Sequence, residues 1–129
     1  MRSRSRPATI DRVSRSVLIV DDHAEFRGLA RRLLEAEGFE VVGEAADAES
    51  ALTATARLRP ALVLLDIQLP DMDGFEVAAR LTDAADPPAV VLTSSRTVSS
   101  YRKRLAQSGV RGFIAKSELS GEALAALCP

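Results

Sequence analysis

Asp21 and Asp22 close the apolar run Val17–Val20, Asp66 closes Ala61–Leu65, Thr93 and Ser94 close Ala89–Leu92, and Lys116 closes Gly112–Ala115. Four short apolar runs therefore each end in a group able to bind a cation or hold an anion. If these runs are strands of one parallel sheet, their carboxyl ends share an edge. Three carboxylates so gathered repel one another unless a cation sits among them. Carboxylate oxygens, in a chain with one His and one Cys, suit a hard cation such as Mg2+. Any one acidic end is equally well a loop start or a helix cap. That ordinary reading explains four strand ends at once only poorly.

The elements that must position these groups are legible as alternating patterns. After Val17–Val20, residues Phe26, Leu29, Ala30, Leu33 and Leu34 fall at helical spacing, with Gly38 just past the end. Glu40–Ala45 reads as a second strand, and Asp47 as the N-cap of a helix marked by Ala48, Ala51, Leu52, Thr55 and Leu58, which Pro60 stops. The continuous run Ala61–Leu65 is the pattern of a strand covered on both faces. A loop, Gln68–Gly74, leads into a helix with Phe75, Val77, Ala78 and Leu81. Ala89–Leu92 is the fourth strand, and Val98, Tyr101 and Leu105 mark the fourth helix. Gly112–Ala115 is the fifth strand, and Leu119, Ala123, Leu124 and Leu127 mark a last short helix. Strands alternating with helices imply βαβ units and a doubly wound parallel α/β sandwich with five strands. In such sheets ligands bind beyond the carboxyl ends of the strands, where strand order reverses.

Composition limits the classes open to the chain. At 129 residues, 47% hydrophobic and 27% charged, it is one globular domain, able to bury roughly two thirds of its unfolded surface without a staple. The single Cys128 cannot form an intrachain bridge, and no run approaches the roughly 20 apolar residues of a membrane span. The basic N-terminus lacks the apolar core of a signal peptide, so a cytoplasmic location is expected. The net charge of −1 conceals a split. Arg2, Arg4, Arg6, Arg12 and Arg15 face only Asp11 in the first 16 residues. Residues 1–15 read as a disordered basic arm, and 16–129 as the folded domain. The arm is either a solvated tail or a nucleic-acid contact made by counterion release.

Together the segments VLIVDDH (Val17–His23), LLDIQLPDMDG (Leu64–Gly74), Thr93-Ser94 and GFIAKS (Gly112–Ser117) resemble the response-regulator receiver domain of two-component signalling. Each piece alone is weak; all four in this order are specific, and the resemblance covers about residues 16–129. It implies strand order 2-1-3-4-5, a flavodoxin-like sandwich, with Asp66 as the phospho-accepting nucleophile toward the phosphohistidine of a histidine kinase or phosphotransfer protein. It implies Mg2+ held by Asp22, Asp66 and the backbone carbonyl of Gln68, with Asp21 acting largely through bound water. Lys116 and Thr93 would each meet a phosphoryl oxygen, and Ser94, being small, would leave the approach open. Thr93 and Phe113 would form the switch, Gln68 and Ser95 would tune the lifetime of the phosphate, and the readout surface would be helix four, strand five and helix five. That face is the expected contact for a downstream protein or a homodimer, with Arg102, Lys103 and Arg104 available for charge pairs. His23 is expected in the first turn of helix one rather than as a ligand. Ser117 stands where the family often has proline, so a cis bond before it, costing about 2.5–4 kcal/mol without proline, is in question.

Two other classes stay open beside a stand-alone signalling receiver that is not an enzyme beyond its own phosphorylation. One is the receiver fragment of a DNA-binding regulator, suggested by Ser117, the DDH start and the Arg-rich arm. The other is a small phosphohydrolase using Asp66; such enzymes often need a second acid two residues on, where this chain has Gln68.

Overall fold

The computed structural model describes residues 15–128. The elements are β1 (Ser16–Val20), α1 (Ala24–Ala36), β2 (Glu40–Ala45), α2 (Ala48–Leu58), β3 (Leu62–Asp66), α3 (Gly74–Thr82), β4 (Ala89–Ser94), α4 (Arg102–Ala106), β5 (Gly112–Ala115) and α5 (Gly121–Leu127). Short 3-10 turns at Val98–Ser100 and Lys116–Glu118 precede α4 and follow β5. All strand pairs are parallel, in the order β2-β1-β3-β4-β5. The expected basic arm falls on residues 1–14, outside those described, plus Arg15.

Successive strand side chains point to opposite faces, and both faces of this sheet are covered. Leu18, Val20, Val63, Leu65, Val90 and Leu92 pack under α2, α3 and Tyr101. Val17, Ile19, Leu62, Leu64 and Val91 pack under Ala30 and Leu34 of α1 and Leu124 of α5. This two-sided burial is why the strands read as unbroken apolar runs. None of the described helices is long and apolar enough to cross a membrane.

Several expectations hold at the level of single residues. Asp47 caps α2, accepting from the Ser50 N–H at 2.8 Å. The αL backbone of Arg59, φ 50°, ends that helix before Pro60. Gly38 takes φ 98° after α1, where a side chain would be strained. Asp66 is the last residue of β3, as expected.

Other expectations are corrected. The fourth helix is broken into the Val98–Ser100 turn and the five residues of α4. Val98, Ser99 and Ser100 are poor helix formers, because β-branching and hydroxyls that compete for backbone groups favour turns. Leu29 was placed in the apolar stripe of α1, yet it is 44% exposed. His23 precedes α1 with extended backbone, because its N–H is held by Asp21 Oδ1 at 2.8 Å. No peptide bond is cis among the described residues, so the bond before Ser117 is trans. By contrast β5 has the expected bounds, and Lys116 follows it as the first residue of the 3-10 turn.

Gly74 lies where backbone meets backbone. A Cβ there would stand 2.6 Å from the Ile67 Cα, and the Gly74 N–H donates to the Ile67 carbonyl at 2.7 Å. Gly74→Ala is expected to destabilise by about 1–3 kcal/mol, the range for overpacking a fixed site. Urea unfolding checks this, and an unchanged midpoint would mean that the loop yields freely.

Charge is divided between the sheet edges. Residues 87–117, spanning β4 to β5, hold Arg96, Arg102, Lys103, Arg104, Arg111 and Lys116 and no acid. Residues 21–50, around β2 and α1, hold Asp21, Asp22, Glu25, Glu35, Glu37, Glu40, Glu44, Asp47 and Glu49 against Arg27, Arg31 and Arg32.

Candidate functional site

The carboxyl ends of β1, β3 and β4 meet at one edge, and the predicted residues arrive there together. Asp21 is fully buried and Asp66 is 2% exposed. Lys116 Nζ stands 2.6 Å from Asp21 Oδ2 and 3.2 Å from Asp66 Oδ2. Asp21 Oδ2 has no aligned hydrogen bond; its partner is the ammonium charge. The Lys116 ammonium also lies 4.7 Å from the Phe26 ring centroid, over its face. Burial alone would pull the Lys116 pKa down, but its contacts with Asp21 and Asp66 outweigh burial and hold it above the ordinary lysine value.

Asp66 is displaced in the other direction. Burial, reinforced by the neighbouring Asp21 charge, raises its pKa against the opposing pull of the Gln68 N–H and Lys116. The Gln68 N–H donates to Asp66 Oδ1 at 3.0 Å. A carboxylate with a raised pKa, held by one N–H and one ammonium, is costly to ionise without a further cation.

One oxygen each of Asp21, Asp22 and Asp66 and one ring nitrogen of His23 lie within 4.8 Å of one another. His23 Nδ1 is 3.0 Å from Asp21 Oδ1 and 3.0 Å from Asp22 Oδ1. Two buried carboxylates with an exposed third fit a hard divalent cation. The imidazole was not expected this close; the signal was its place directly after the acidic pair.

The hydroxyl side of the site is set by strand register. Asp66 pairs with Thr93, and Thr93 with Ile114. Thr93 Oγ1 donates to the Ile114 carbonyl at 2.6 Å, so it is turned toward β5. Ser94 is buried beside it. Phe113 is partly buried against Tyr101, ring centroids 6.0 Å apart. Gln68 and Ser95 are exposed at the rim of the edge.

Supports that sequence reading missed come from afar. Arg27 Nη1 donates to the Asp21 carbonyl at 2.6 Å while its Nε donates to Glu44 Oε1 at 2.9 Å. Glu44 is shared with Arg31, and hydrogen bonding to Arg31 first, then Arg27, holds its carboxyl below the ordinary glutamate value against burial. Asp71, in the loop after Asp66, accepts from the N–H groups of Ala48 and Glu49 at 2.8 and 3.1 Å. It thus ties the loop after β3 to the N-terminus of α2.

Residues 17–127 match the family described as the response regulator receiver domain. The chain belongs to the response-regulator receiver family. The receiver is 41% identical over 102 residues to the protein of Bordetella pertussis named as the virulence-factor transcription regulator BvgA, covering 79% of this chain and 49% of that one. It is 35% identical over 101 residues to the response regulator GacA of Pseudomonas aeruginosa, covering 78% of this chain and 47% of that one. Among solved structures it is similar to the signal receiver domain of the response regulator NarL from Mycobacterium tuberculosis, with TM-score 0.76, 32% identity, and coverage of 87% and 94% of the two chains. The receiver spans about half the length of the curated relatives it matches. Its five parallel strands in the order 2-1-3-4-5 are the receiver fold. Receiver domains are signalling phosphoacceptors that bind Mg2+ at an acidic pocket and interact with histidine kinases or phosphotransfer proteins.

Proposed function

We propose that Asp66 is the residue phosphorylated. The observation that carries this reading is the burial of Asp66 beside Asp21 and Lys116, with Thr93 paired to it across β3 and β4. An Asp66 carboxylate oxygen attacks the phosphorus of a donor phosphohistidine. The new O–P bond forms as the P–N bond breaks, and its electron pair returns to the donor imidazole. Lys116 meets one phosphoryl oxygen as a point charge. The Thr93 hydroxyl leaves the Ile114 carbonyl to donate to another. Mg2+ supplies neutralisation of the phosphoryl charge. Asp22, Asp66 and the backbone carbonyl of Gln68 would hold it, with Asp21 acting through water.

The acyl phosphate adds about −1.5 to −2 charge. Thr93 moving toward it makes room for Phe113 to turn inward, shifting the population of the surface made by α4, β5 and α5. That surface is the contact for a downstream protein or a second copy. Gln68 and Ser95, at the rim, set the access of hydrolytic water and so the lifetime of the phosphate. The reading places the chain in the cytoplasm.

The test is incubation of the full chain with acetyl phosphate and Mg2+, read by intact mass. One added phosphoryl group is expected, and none with Asp66→Asn. Undiminished labelling of that variant would overturn the assignment. A phosphohydrolase would instead turn over a generic phosphate ester well above background.

The likeness to BvgA favours a second reading, a receiver that serves a DNA-binding regulator. A salt-sensitive shift of duplex DNA that is lost on deleting residues 1–15 would support direct contact through the Arg-rich arm. No shift at low salt would exclude it.

Arg27 is the support whose removal tells most about the metal pocket, since it grips the Asp21 carbonyl. Arg27→Met is expected to weaken Mg2+ binding about 10- to 100-fold, the range for losing an outer partner that orients the groups around a metal. Calorimetric titration checks this. An unchanged affinity would show that β1 alone fixes the acids.

A further inference from the structure

Tyr101 is the one aromatic residue fully enclosed by the β4–α4 region, 7% exposed. Its ring is flanked by Phe75 and Phe113, each with centroid 6.0 Å away. Its backbone, φ −126°, joins the Val98–Ser100 turn to α4, accepting from Leu105 N–H and donating to the Val98 carbonyl. Its hydroxyl lies 3.3 Å from Ser94 Oγ. Ser94 Oγ also accepts the Arg96 N–H at 3.1 Å. One buried serine hydroxyl therefore closes the whole loop from β4 to Tyr101.

Ser94 is the neighbour of Thr93, whose hydroxyl points to the Ile114 carbonyl. Two adjacent hydroxyls thus tie the end of β4 in two directions, Thr93 to β5 and Ser94 to the start of α4. Thr93 and Ser94 share one peptide at the end of β4, so any backbone shift that carries the Thr93 hydroxyl toward Asp66 also moves Ser94. Buried polar groups resist such a shift, because a lost hydrogen bond leaves them unpaired.

We infer that Tyr101 is a positioning residue for phosphoryl acceptance: through Ser94 it holds the Thr93 hydroxyl in its resting direction. This rests on the reading of Asp66 as acceptor and goes beyond the Thr93–Phe113 pair. Tyr101 also sits where an inward-turning Phe113 must pack, so the two rings rearrange together. Phosphorylation at Asp66 then frees the Tyr101 hydroxyl and loosens the junction between the 3-10 turn and α4.

Tyr101→Phe keeps the ring and removes only the hydroxyl; Ser94→Ala removes its partner. In the full chain without donor or metal, amide resonances of Thr93 and Ile114 are expected to shift alike in both variants. With acetyl phosphate and Mg2+, both are expected to be phosphorylated about two- to fivefold faster than the parent, the population change of losing one neutral hydrogen bond. The double variant is expected to gain no more than either single one. Shifts confined to residues near 101, or additive rates, would overturn the inference. The amide shifts judge Tyr101 even if the parent chain gains no mass with acetyl phosphate, a result that would instead refute Asp66 as acceptor.

Discussion

Asp66→Asn is expected to lose all phosphoryl uptake and yet to be more stable than the parent chain in the absence of divalent cation. Asp66 is a buried acid whose charge is opposed by desolvation first and by Asp21 second. Its pKa is therefore raised on folding, so the folded state binds the proton more tightly than the unfolded state. The favourable contribution of that bound proton is complete below the ordinary aspartate range. It is lost as pH rises from that range through the raised folded value, and at neutral pH the ionised carboxylate opposes folding. Asparagine removes the charge while its side-chain oxygen can still accept the Gln68 N–H. A gain on the order of 1 kcal/mol, the scale of a typical single substitution, is expected at pH 7. It should shrink as pH falls toward 4. Saturating Mg2+ should narrow or reverse it, because binding to the folded parent adds stability in proportion to ligand occupancy. Urea midpoints at two pH values, with and without Mg2+, check the prediction. A parent chain more stable than the variant without cation would contradict it.

Lys116→Met should act in the opposite sense and more strongly. Its ammonium is the charge facing both Asp21 and Asp66, and its side chain is only 16% exposed. Deleting one member of a buried ionic cluster leaves the rest uncompensated and costs about 3–5 kcal/mol. Methionine fills similar space beside Phe26, so the loss reports charge rather than a cavity. Mg2+ should stabilise this variant more than the parent, since a bound cation takes over the neutralisation that the lysine supplied. The rate of phosphorylation should fall about 10²- to 10³-fold, the effect of removing one preorganised group that stabilises developing charge. Thermal melts and intact-mass time courses test both parts. If Mg2+ stabilises both chains equally, the lysine and the metal do not share the carboxylates.

The site was legible where chemistry is written at the ends of strands. Buried strands read as unbroken apolar runs, and a polar residue terminating each one stands out, which is how Asp21, Asp66, Thr93 and Lys116 were found. Asp47 was found for a local reason as well, since capping acts over three residues. Less was legible where the partner is distant or the local preference weak. Arg27 and Glu44 are 17 residues apart and Asp71 and Ala48 are 23 apart, and no spacing rule links them. His23 stands before α1 and not in its first turn because the Asp21 side chain holds its N–H and delays the helix start. The spacing of Val98, Tyr101 and Leu105 suggested one helix, while the serines between them favoured a turn. Tyr101 was counted as part of a stripe, and only the folded chain shows its hydroxyl beside Ser94.

The basic run 87–117 includes β4 and β5 and the mainly acidic run 21–50 includes β2, so opposite charge gathers toward opposite edges of the sheet. In the field of a charged partner such a body is turned before it touches, basic edge toward an anion, acidic edge toward a cation. The proposed phosphorylation of Asp66 would place its negative charge at one end of β3, the strand midway between those edges. The basic stretch around β5 is thus where an anionic group would be drawn, by an attraction that salt screens.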